Sequence, residues 1–390
     1  MALERILIID DEAEIGRFVA RVAGRCGYRP VATTDVEEFR QHVRNWQPTH
    51  IVLDLHMPEA DGVELLRFLA AERSQARIII ASGFDPKVID SARQLGIERG
   101  LSIVATVQKP IRAEALARLL EEVKSDSGWL DEHALLGAIE NEEFGLVFQP
   151  KVKLNPDGAA RPWNEVAGFE ALVRWNHPER GLVSPADFIP VAETLGMIDK
   201  VTQAVFTLAT QQIQAWNAKG LSLSIAINVS AEDLYDVTFV DALAKHCRQI
   251  GVSPSQIVIE LTETAAMRDV TQAMDILTRL RIKGFQLAMD DFGTGYSSLV
   301  QLQRMPFSEL KIDQAFIRQF ASSEQSRVIV KTMIDMAHNL GLTAVAEGVE
   351  SEDVLRSLAD LQCDIAQGYV IARPLPADAV ENWLAQNLPA

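Results

Sequence analysis

From about residue 130 onward the sequence repeats one rhythm: a short apolar run, a polar residue at its end, then an amphipathic helical stretch. GFEALVRW carries Glu170 and Arg174, SLSIAINVS reaches Asn228, QIVIELTET carries Glu260, and FQLAMDD ends on Asp290 and Asp291. SELKID then brings Lys311, LTAVAEGVE brings Glu347 and DIAQGY brings Gln367. Helical spacing over 186–196, 198–219 and 270–283 separates most of these runs. Strand–helix alternation of this length implies an α/β fold with a mainly parallel sheet. Seven or eight such units suit a (β/α)8 barrel, in which the C-terminal ends of the strands converge on one site. One such polar residue reads as a strand cap; six or seven in series read as a site.

The most pointed chemistry lies in MDDFGTGYSS. FQLAM reads as a buried strand that delivers Asp290 and Asp291 at its C-terminal end, and an unpaired buried carboxylate is costly. A hard divalent cation with oxygen ligands is the usual compensation. Taken alone, the pair could equally cap a solvated turn. Gly293 and Gly295, in the loop over 292–299, permit backbone geometries closed to other residues and make that loop an expected mobile element.

At 390 residues the chain has room for two domains with full cores. Hydrophobic residues at 48% and charged residues at 23% fit a soluble globular protein. No run approaches the roughly 18 apolar residues of a membrane span. The N-terminus, passing from Glu4 and Arg5 straight into a strand, lacks a signal peptide's cleavage pattern. A cytoplasmic protein is expected, with no membrane partner. Cys26, Cys247 and Cys363 are far apart and odd in number, which suggests neither a disulfide framework nor a zinc knuckle. Charge divides unevenly: residues 1–124 hold 17 Lys+Arg against 19 Asp+Glu, the remainder 20 against 35. So acidic a C-terminal part argues against binding long nucleic acid, and no DNA-binding output module is expected.

Residues 1–124 read as a smaller α/β unit with strands at ILIID, YRPVAT, HIVLDL, ARIIIAS and SIVATV, the flavodoxin-like doubly wound pattern. Asp10 and Asp11, Asp54, Ser82, and Lys109 followed by Pro110 fall at the strands' carboxyl ends. Three carboxylates, a hydroxyl and a lysine there would bind one Mg²⁺ and orient a phosphoryl group on an aspartate. On DD at 10–11, DLHMPEADG at 54–62, ASG at 81–83 and KP at 109–110, the segment resembles a response-regulator receiver domain. The resemblance implies Asp54 as phosphoacceptor and Asp10 and Asp11 as Mg²⁺ ligands. Ser82 and Lys109 would hold the phosphoryl oxygens, the peptide before Pro110 would be cis, and a sensor histidine kinase would be the cognate partner. One departure is Thr106, three positions before the lysine, where receivers commonly place an aromatic or large apolar residue. Readout of phosphorylation is therefore expected by another route.

KSDSG leads into a short linker over 125–130, and residues 131–390 form the second domain. Residues 129–143 have helical spacing and serve either to couple the domains or as the first helix of the barrel. This domain resembles the EAL-domain cyclic di-GMP phosphodiesterases in FQP at 148–150, EAL at 170–172, NVS at 228–230 and IELTET at 259–264. The likeness continues through DDFGTGYSSL at 290–299, LKID at 310–313, AEGVE at 346–350 and QGY at 367–369. It implies a (β/α)8 TIM-like barrel that hydrolyses cyclic di-GMP to linear pGpG with two Mg²⁺ or Mn²⁺ ions. Such ions, roughly 4 Å apart, acidify a water and stabilise both in-line oxygens.

By that resemblance Glu170, Asn228, Glu260 and Asp290 ligate the first ion, and Asp290 bridges to a second supported by Asp291 and Glu347. Lys311 acts on the water, with either a depressed pKa or a retained charge. Gln367 orients the water or Glu347, Gln149 and Arg174 touch substrate, and Glu350 anchors the glycine-rich loop, unless it is an exposed carboxylate at a helix start. A symmetric homodimer is expected. His177, in a turn, and His338, on a helix, read as structural. Trp163 falls in an extended hairpin expected on the surface. The competing readings are a barrel that binds cyclic di-GMP without cleaving it, and a phosphorylation-controlled interaction protein.

Overall fold

In the computed structural model the described residues are 4–57, 61–72, 74, 76–83, 86–124, 129–155, 163–236, 238–293 and 299–387. The chain divides into two compact units, residues 1–129 and 130–390.

The first unit contains five parallel strands, β1 (Arg5–Ile9), β2 (Arg29–Thr33), β3 (His50–Asp54), β4 (Arg77–Ser82) and β5 (Ile103–Gln108), in the order β2-β1-β3-β4-β5. β1 and β3 are buried on both faces, which is why RILII and HIVLD are almost continuously apolar. Side chains alternate between two cores, Leu7, Ile9, Ile51 and Leu53 facing one layer of helices and Ile6, Ile8 and Val52 the other. Because β1 and β3 run parallel with Ile9 level with Leu53, Asp10 and Asp54 meet at the carboxyl end of the sheet. Asp35 and Asp61 cap the helices Val36–Trp46 and Gly62–Ala71 by accepting from the backbone N–H of Glu38 and Glu64.

The second unit contains β6 (Phe144–Leu154), β7 (Trp163–His177), β8 (Gly181–Val183), β9 (Ile225–Asn228), β10 (Ile257–Thr262), β11 (Gln286–Phe292), β12 (Glu309–Ile312), β13 (Thr343–Ala346), β14 (Ile365–Gln367) and β15 (Leu375–Pro376). Eight of them close a barrel in the order β6-β7-β9-β10-β11-β12-β13-β14, with β14 returning to β6. β7 and β9 to β14 run parallel, whereas β6 is antiparallel to both neighbours. The reason is local: β6 and β7 pair as a hairpin without a crossover helix, and a hairpin can only join antiparallel strands.

Residues of even number point inward on β7 and β9 to β11, so Ala226, Val258 and Ala288 pack as one small-residue layer beneath Asn228, Glu260 and Asp290. Outside the barrel, the helix Ile198–Ala218 buries Trp216 completely against Phe148 and Phe169. Trp163, expected on the surface, is instead buried at the start of β7 and stacked on Trp383, ring centroids 6.0 Å apart and planes at 11°. A large aromatic flanking a hairpin turn gains more by covering the C-terminal helix than by facing water. Most of the turn itself, 156–162, lies outside the described residues. No helix among the described residues is long and apolar enough to cross a membrane.

Candidate active site

Glu170 within β7, Glu260 on β10, Asp290 on β11 and Glu347 directly after β13 bring their carboxylates together around one ammonium. Lys311 Nζ, on β12 and 1% exposed, is 2.7 Å from Glu260 Oε2, 2.7 Å from Glu347 Oε1, 3.1 Å from Asp290 Oδ1 and 4.0 Å from Glu170 Oε1. Glu170 is held from two further sides. Asn228 Nδ2 donates to its Oε1 at 2.9 Å and Gln367 Nε2 to its Oε2 at 2.6 Å. Gln367 also donates to Gln149 Oε1 at 3.1 Å, and Gln149 Nε2 donates to the carbonyl of Ala372.

Register explains the convergence. Glu260 sits level with Asn228 on β9, and Asp290 one inward step above, level with Thr262. The ladder from β11 to β12 then slips between Met289 and Phe292, and Asp291 adopts a left-handed backbone, φ 53°. A non-glycine residue there costs of order 1–3 kcal/mol, a strain that persists at functional sites. The irregularity presents both aspartates, and oxygens of Asp290, Asp291 and Glu347 lie within 4.8 Å of one another.

The electrostatics are those of too many carboxylates for one ammonium. Burial alone would push Lys311 down, but Glu170, Glu260, Glu347 and Asp290 hold it well above its ordinary value. The depressed lysine considered from sequence belongs to a site holding two cations; with carboxylates alone around it, the ammonium is favoured. Burial, opposed by Lys311 and reinforced by Glu170, pushes Glu260 up to about 7, and burial with neighbouring acids pushes Glu347 well above the carboxylate range. Asp291 rises to about 6 through burial, Asp290 and Asp313. Glu170 resists its own burial: Lys311 and the bonds from Gln367 and Asn228 hold it low. Hard oxygen donors that would otherwise have to take up protons are a chemical fit for divalent cations.

Several expectations change. The partners of Gln367 are Glu170 and Gln149, not Glu347. Glu350 is an exposed carboxylate 3.7 Å from Arg318, while the described start of the glycine-rich loop is held elsewhere, Gly293 N donating to Glu263 Oε2 at 2.9 Å. Residues 294–298 of that loop lie outside the described residues. Arg174 is half-buried on β7 and donates to the carbonyl of Val173. His177 Nδ1 accepts from the N–H groups of Glu179 and Arg180, and the exposed His338 pairs with Asp364 at 2.9 Å.

Three buried or half-buried groups escaped the sequence reading: Glu263, Lys151 and Glu309. Lys151 was recoverable, because it lies two residues from Gln149 on one strand and so shares its inward face.

In the first unit Lys109 Nζ bridges Asp54 Oδ2 at 2.6 Å and Asp10 Oδ2 at 2.9 Å. Burial opposes that charge, but bonds to Asp54 and Asp10 raise its pKa. Burial raises Asp10. Ser82 is fully buried at the end of β4, the Lys109–Pro110 peptide is cis, and Thr106 is exposed on β5. Oxygens of Asp10, Asp11 and Glu12 lie within 4.8 Å of one another, again a donor set suited to Mg²⁺.

Residues 132–374 match the family model described as EAL domain, and residues 6–121 match that of the response regulator receiver domain. The cyclic di-GMP phosphodiesterase RocR of Pseudomonas aeruginosa is 32% identical over 337 residues, covering 83% of this chain and 84% of its own. The cyclic di-GMP phosphodiesterase PdeR of Escherichia coli is 37% identical over 261 residues, 67% of this chain and 38% of that protein. Among solved structures, the complex of PaMucR phosphodiesterase with c-di-GMP has a TM-score of 0.59 and 38% identity, over 64% of this chain and 98% of that one. Several of the curated relatives are longer proteins, and the chain spans about two fifths of their length.

Proposed function

Since the chain belongs to the EAL-domain family and carries a response-regulator receiver domain, we propose that it is a cyclic di-GMP phosphodiesterase whose rate is set by phosphorylation of Asp54. The observation that carries this reading is Lys311, whose ammonium lies within 4.0 Å of four carboxylates carried on or directly after four strands of the barrel. An ammonium in the middle of such a set marks where positive charge belongs.

Glu170, Asn228, Glu260 and Asp290 would hold one Mg²⁺ or Mn²⁺, and Asp290, Asp291 and Glu347 a second. Bound there, the ions supply Lewis-acid stabilisation of phosphodiester charge and lower the pKa of a water. The chain's own groups do the rest. Gln367 and Asn228 fix both oxygens of Glu170, so that ligand needs no reorganisation on loading. Lys311 is the group within reach of a water or phosphoryl oxygen lying among the carboxylates. Gln149 and Arg174 are the proposed substrate contacts, the guanidinium because its planar fork matches phosphate oxygens. Hydrolysis adds one water across a P–O3′ bond: the water oxygen bonds to phosphorus, the P–O3′ bond breaks, and a proton ends on the released hydroxyl of pGpG.

In the receiver, Asp10 and Asp11 would hold one Mg²⁺. Lys109, which now bridges Asp54 and Asp10, and Ser82 would pair with the phosphoryl oxygens delivered by a sensor histidine kinase. Thr106 is small and exposed, so control would run without an aromatic switch, through a symmetric homodimer.

The test is cyclic di-GMP turnover by the full-length chain in Mg²⁺, with and without beryllofluoride, beside Glu170→Gln and Asp54→Asn. Formation of pGpG that Glu170→Gln abolishes, and a beryllofluoride response that Asp54→Asn abolishes, would support both halves. Binding of the dinucleotide without turnover in Mg²⁺ or Mn²⁺ would replace the enzyme by a receptor.

A further inference from the structure

Beneath the cleft lies a second lysine that the proposed chemistry leaves without a task. Lys151 is 2% exposed on β6 and faces the barrel interior two residues from Gln149. Its Nζ lies 3.1 Å from Glu309 Oε2 and 3.5 Å from Glu260 Oε1. Glu260 is completely buried, and its other oxygen, Oε2, accepts from Lys311 at 2.7 Å. The two lysines therefore divide one carboxylate between them, Lys311 taking Oε2 and Lys151 taking Oε1.

The division matters for cation binding. A cation at the cleft must compete with Lys311 for Oε2, whereas Lys151 reaches Glu260 by the opposite oxygen and needs no displacement. Burying an ammonium is costly, and a methionine of similar length would fill the same interior space at no such cost. Apart from Lys151 and its nearer partner Glu309, the floor beneath Glu260 includes the apolar cluster of Ala226, Val258 and Ala288. Resting on the metal-dependent phosphodiesterase reading above, we infer that Lys151 is a positioning residue, whose ammonium pins Glu260 Oε1 so that Oε2 is presented to the cation.

Positioning and simple charge make opposite predictions. Removing an ammonium makes the site more negative, and on charge alone a cation would then bind more tightly. Removing a partner that orients a metal ligand instead weakens binding, by roughly ten- to hundred-fold in comparable sites.

The experiment is calorimetric titration of Mn²⁺ into metal-stripped full-length protein, with Asp11→Asn in every sample to silence the receiver site. The parent is compared with Lys151→Met and Lys151→Gln. The expected result is Mn²⁺ affinity about ten-fold or more weaker in Lys151→Met. Lys151→Gln, which keeps an N–H donor without the charge, should fall between the two. KM for cyclic di-GMP at saturating Mn²⁺ should be unchanged. Unchanged or tighter Mn²⁺ binding by folded Lys151→Met overturns the inference. Should circular dichroism show Lys151→Met unfolded, the Gln variant decides by the same criterion. Parent turnover is measured alongside: an inactive parent sinks the phosphodiesterase reading, whereas an active parent with no Lys151 effect on Mn²⁺ sinks only this one.

Discussion

Gly293 donates its backbone N–H to Glu263 Oε2 at 2.9 Å, which ties the first turn after the paired aspartates to a side chain on the neighbouring β10 connection. Glu263 is 2% exposed whereas Gly293 lies at the surface, so the bond is half-buried. Gly293 has φ 98°, and a Cβ there would come within 2.4 Å of Met333 Cε, so backbone and partner are both specified. Losing a hydrogen bond to a charged acceptor costs about 1.5–3 kcal/mol.

Glu263→Ala should therefore lower turnover about ten-fold or more and raise the Mg²⁺ concentration for half-maximal rate, because Asp290 and Asp291 immediately precede the freed turn. Glu263→Gln retains an acceptor and should lose much less. A Mg²⁺ titration of initial rates checks this; parent-like rates in Glu263→Ala would remove the anchoring role.

Gly368 follows Gln367 and crosses the chain after Glu347 at close range. A Cβ at Gly368 would lie 2.1 Å from the carbonyl oxygen and 2.3 Å from the nitrogen of Val349. Those atoms are backbone, fixed by bonds from Val349 N to Gln367 O and from Val370 N to Val349 O, and cannot swing aside. Gly368→Ala must separate the two segments and with them Gln367 and Glu347. The expected outcome is at least a hundred-fold loss of turnover together with a lower melting temperature. Parent-like kinetics would show that the segments move without disturbing the site.

Asp233 gives a pH prediction outside the metal cluster. Its carboxyl is buried, accepts from Thr202 Oγ1 at 2.8 Å and from Ser230 N at 3.1 Å, and burial pushes its pKa up to about 6. The folded state thus holds this proton more tightly than the unfolded chain, whose value is near 3.8. The resulting stability is full below the unfolded value and is lost as pH rises through about 6, amounting to at most about 3 kcal/mol. Asp233→Asn, which keeps an acceptor without the charge, should melt several degrees above the parent at pH 7.5, with the gap shrinking by pH 5. A gap independent of pH would assign the effect to something other than ionisation.

The sequence revealed those parts of the barrel in which one residue carries both a structural and a chemical signal. FQLAM followed by two aspartates is legible because a buried strand has no ordinary reason to end so, and Glu170, Asn228, Lys311 and Glu347 repeat the pattern. Glu263 was hidden because an acidic residue after Thr262, which caps its own helix by accepting from Ala265 N, looks like an ordinary first-turn carboxylate. Its partner Gly293 is thirty residues away. Trp163 was misplaced for a similar reason: its partner, Trp383, lies in the last helix, and no local pattern announces so distant a pairing. The reversed direction of β6 follows from a hairpin that strand-by-strand reading recognised without carrying its consequence into the barrel.

Lys311 supports a last prediction, in which two effects separate on titration with metal. In metal-free protein its ammonium is the counter-charge nearest Glu260, Asp290 and Glu347. Breaking a buried ion pair by removing one partner costs on the order of 3–5 kcal/mol, though protonation of the orphaned carboxylates would recover part of this. Lys311→Met should thus lower the metal-free melting temperature by about 5 °C or more, given roughly 2–4 °C per kcal/mol for a domain of this size. Added Mg²⁺ replaces the missing charge, so it should raise the variant's melting temperature more than the parent's. Turnover should stay lost at every Mg²⁺ concentration, because charge restored to the carboxylates does not restore a donor to the water or phosphate. Equal Mg²⁺ stabilisation of variant and parent would show that Lys311 is not the counter-charge of the metal-free site, and recovery of turnover would show that charge was all it supplied.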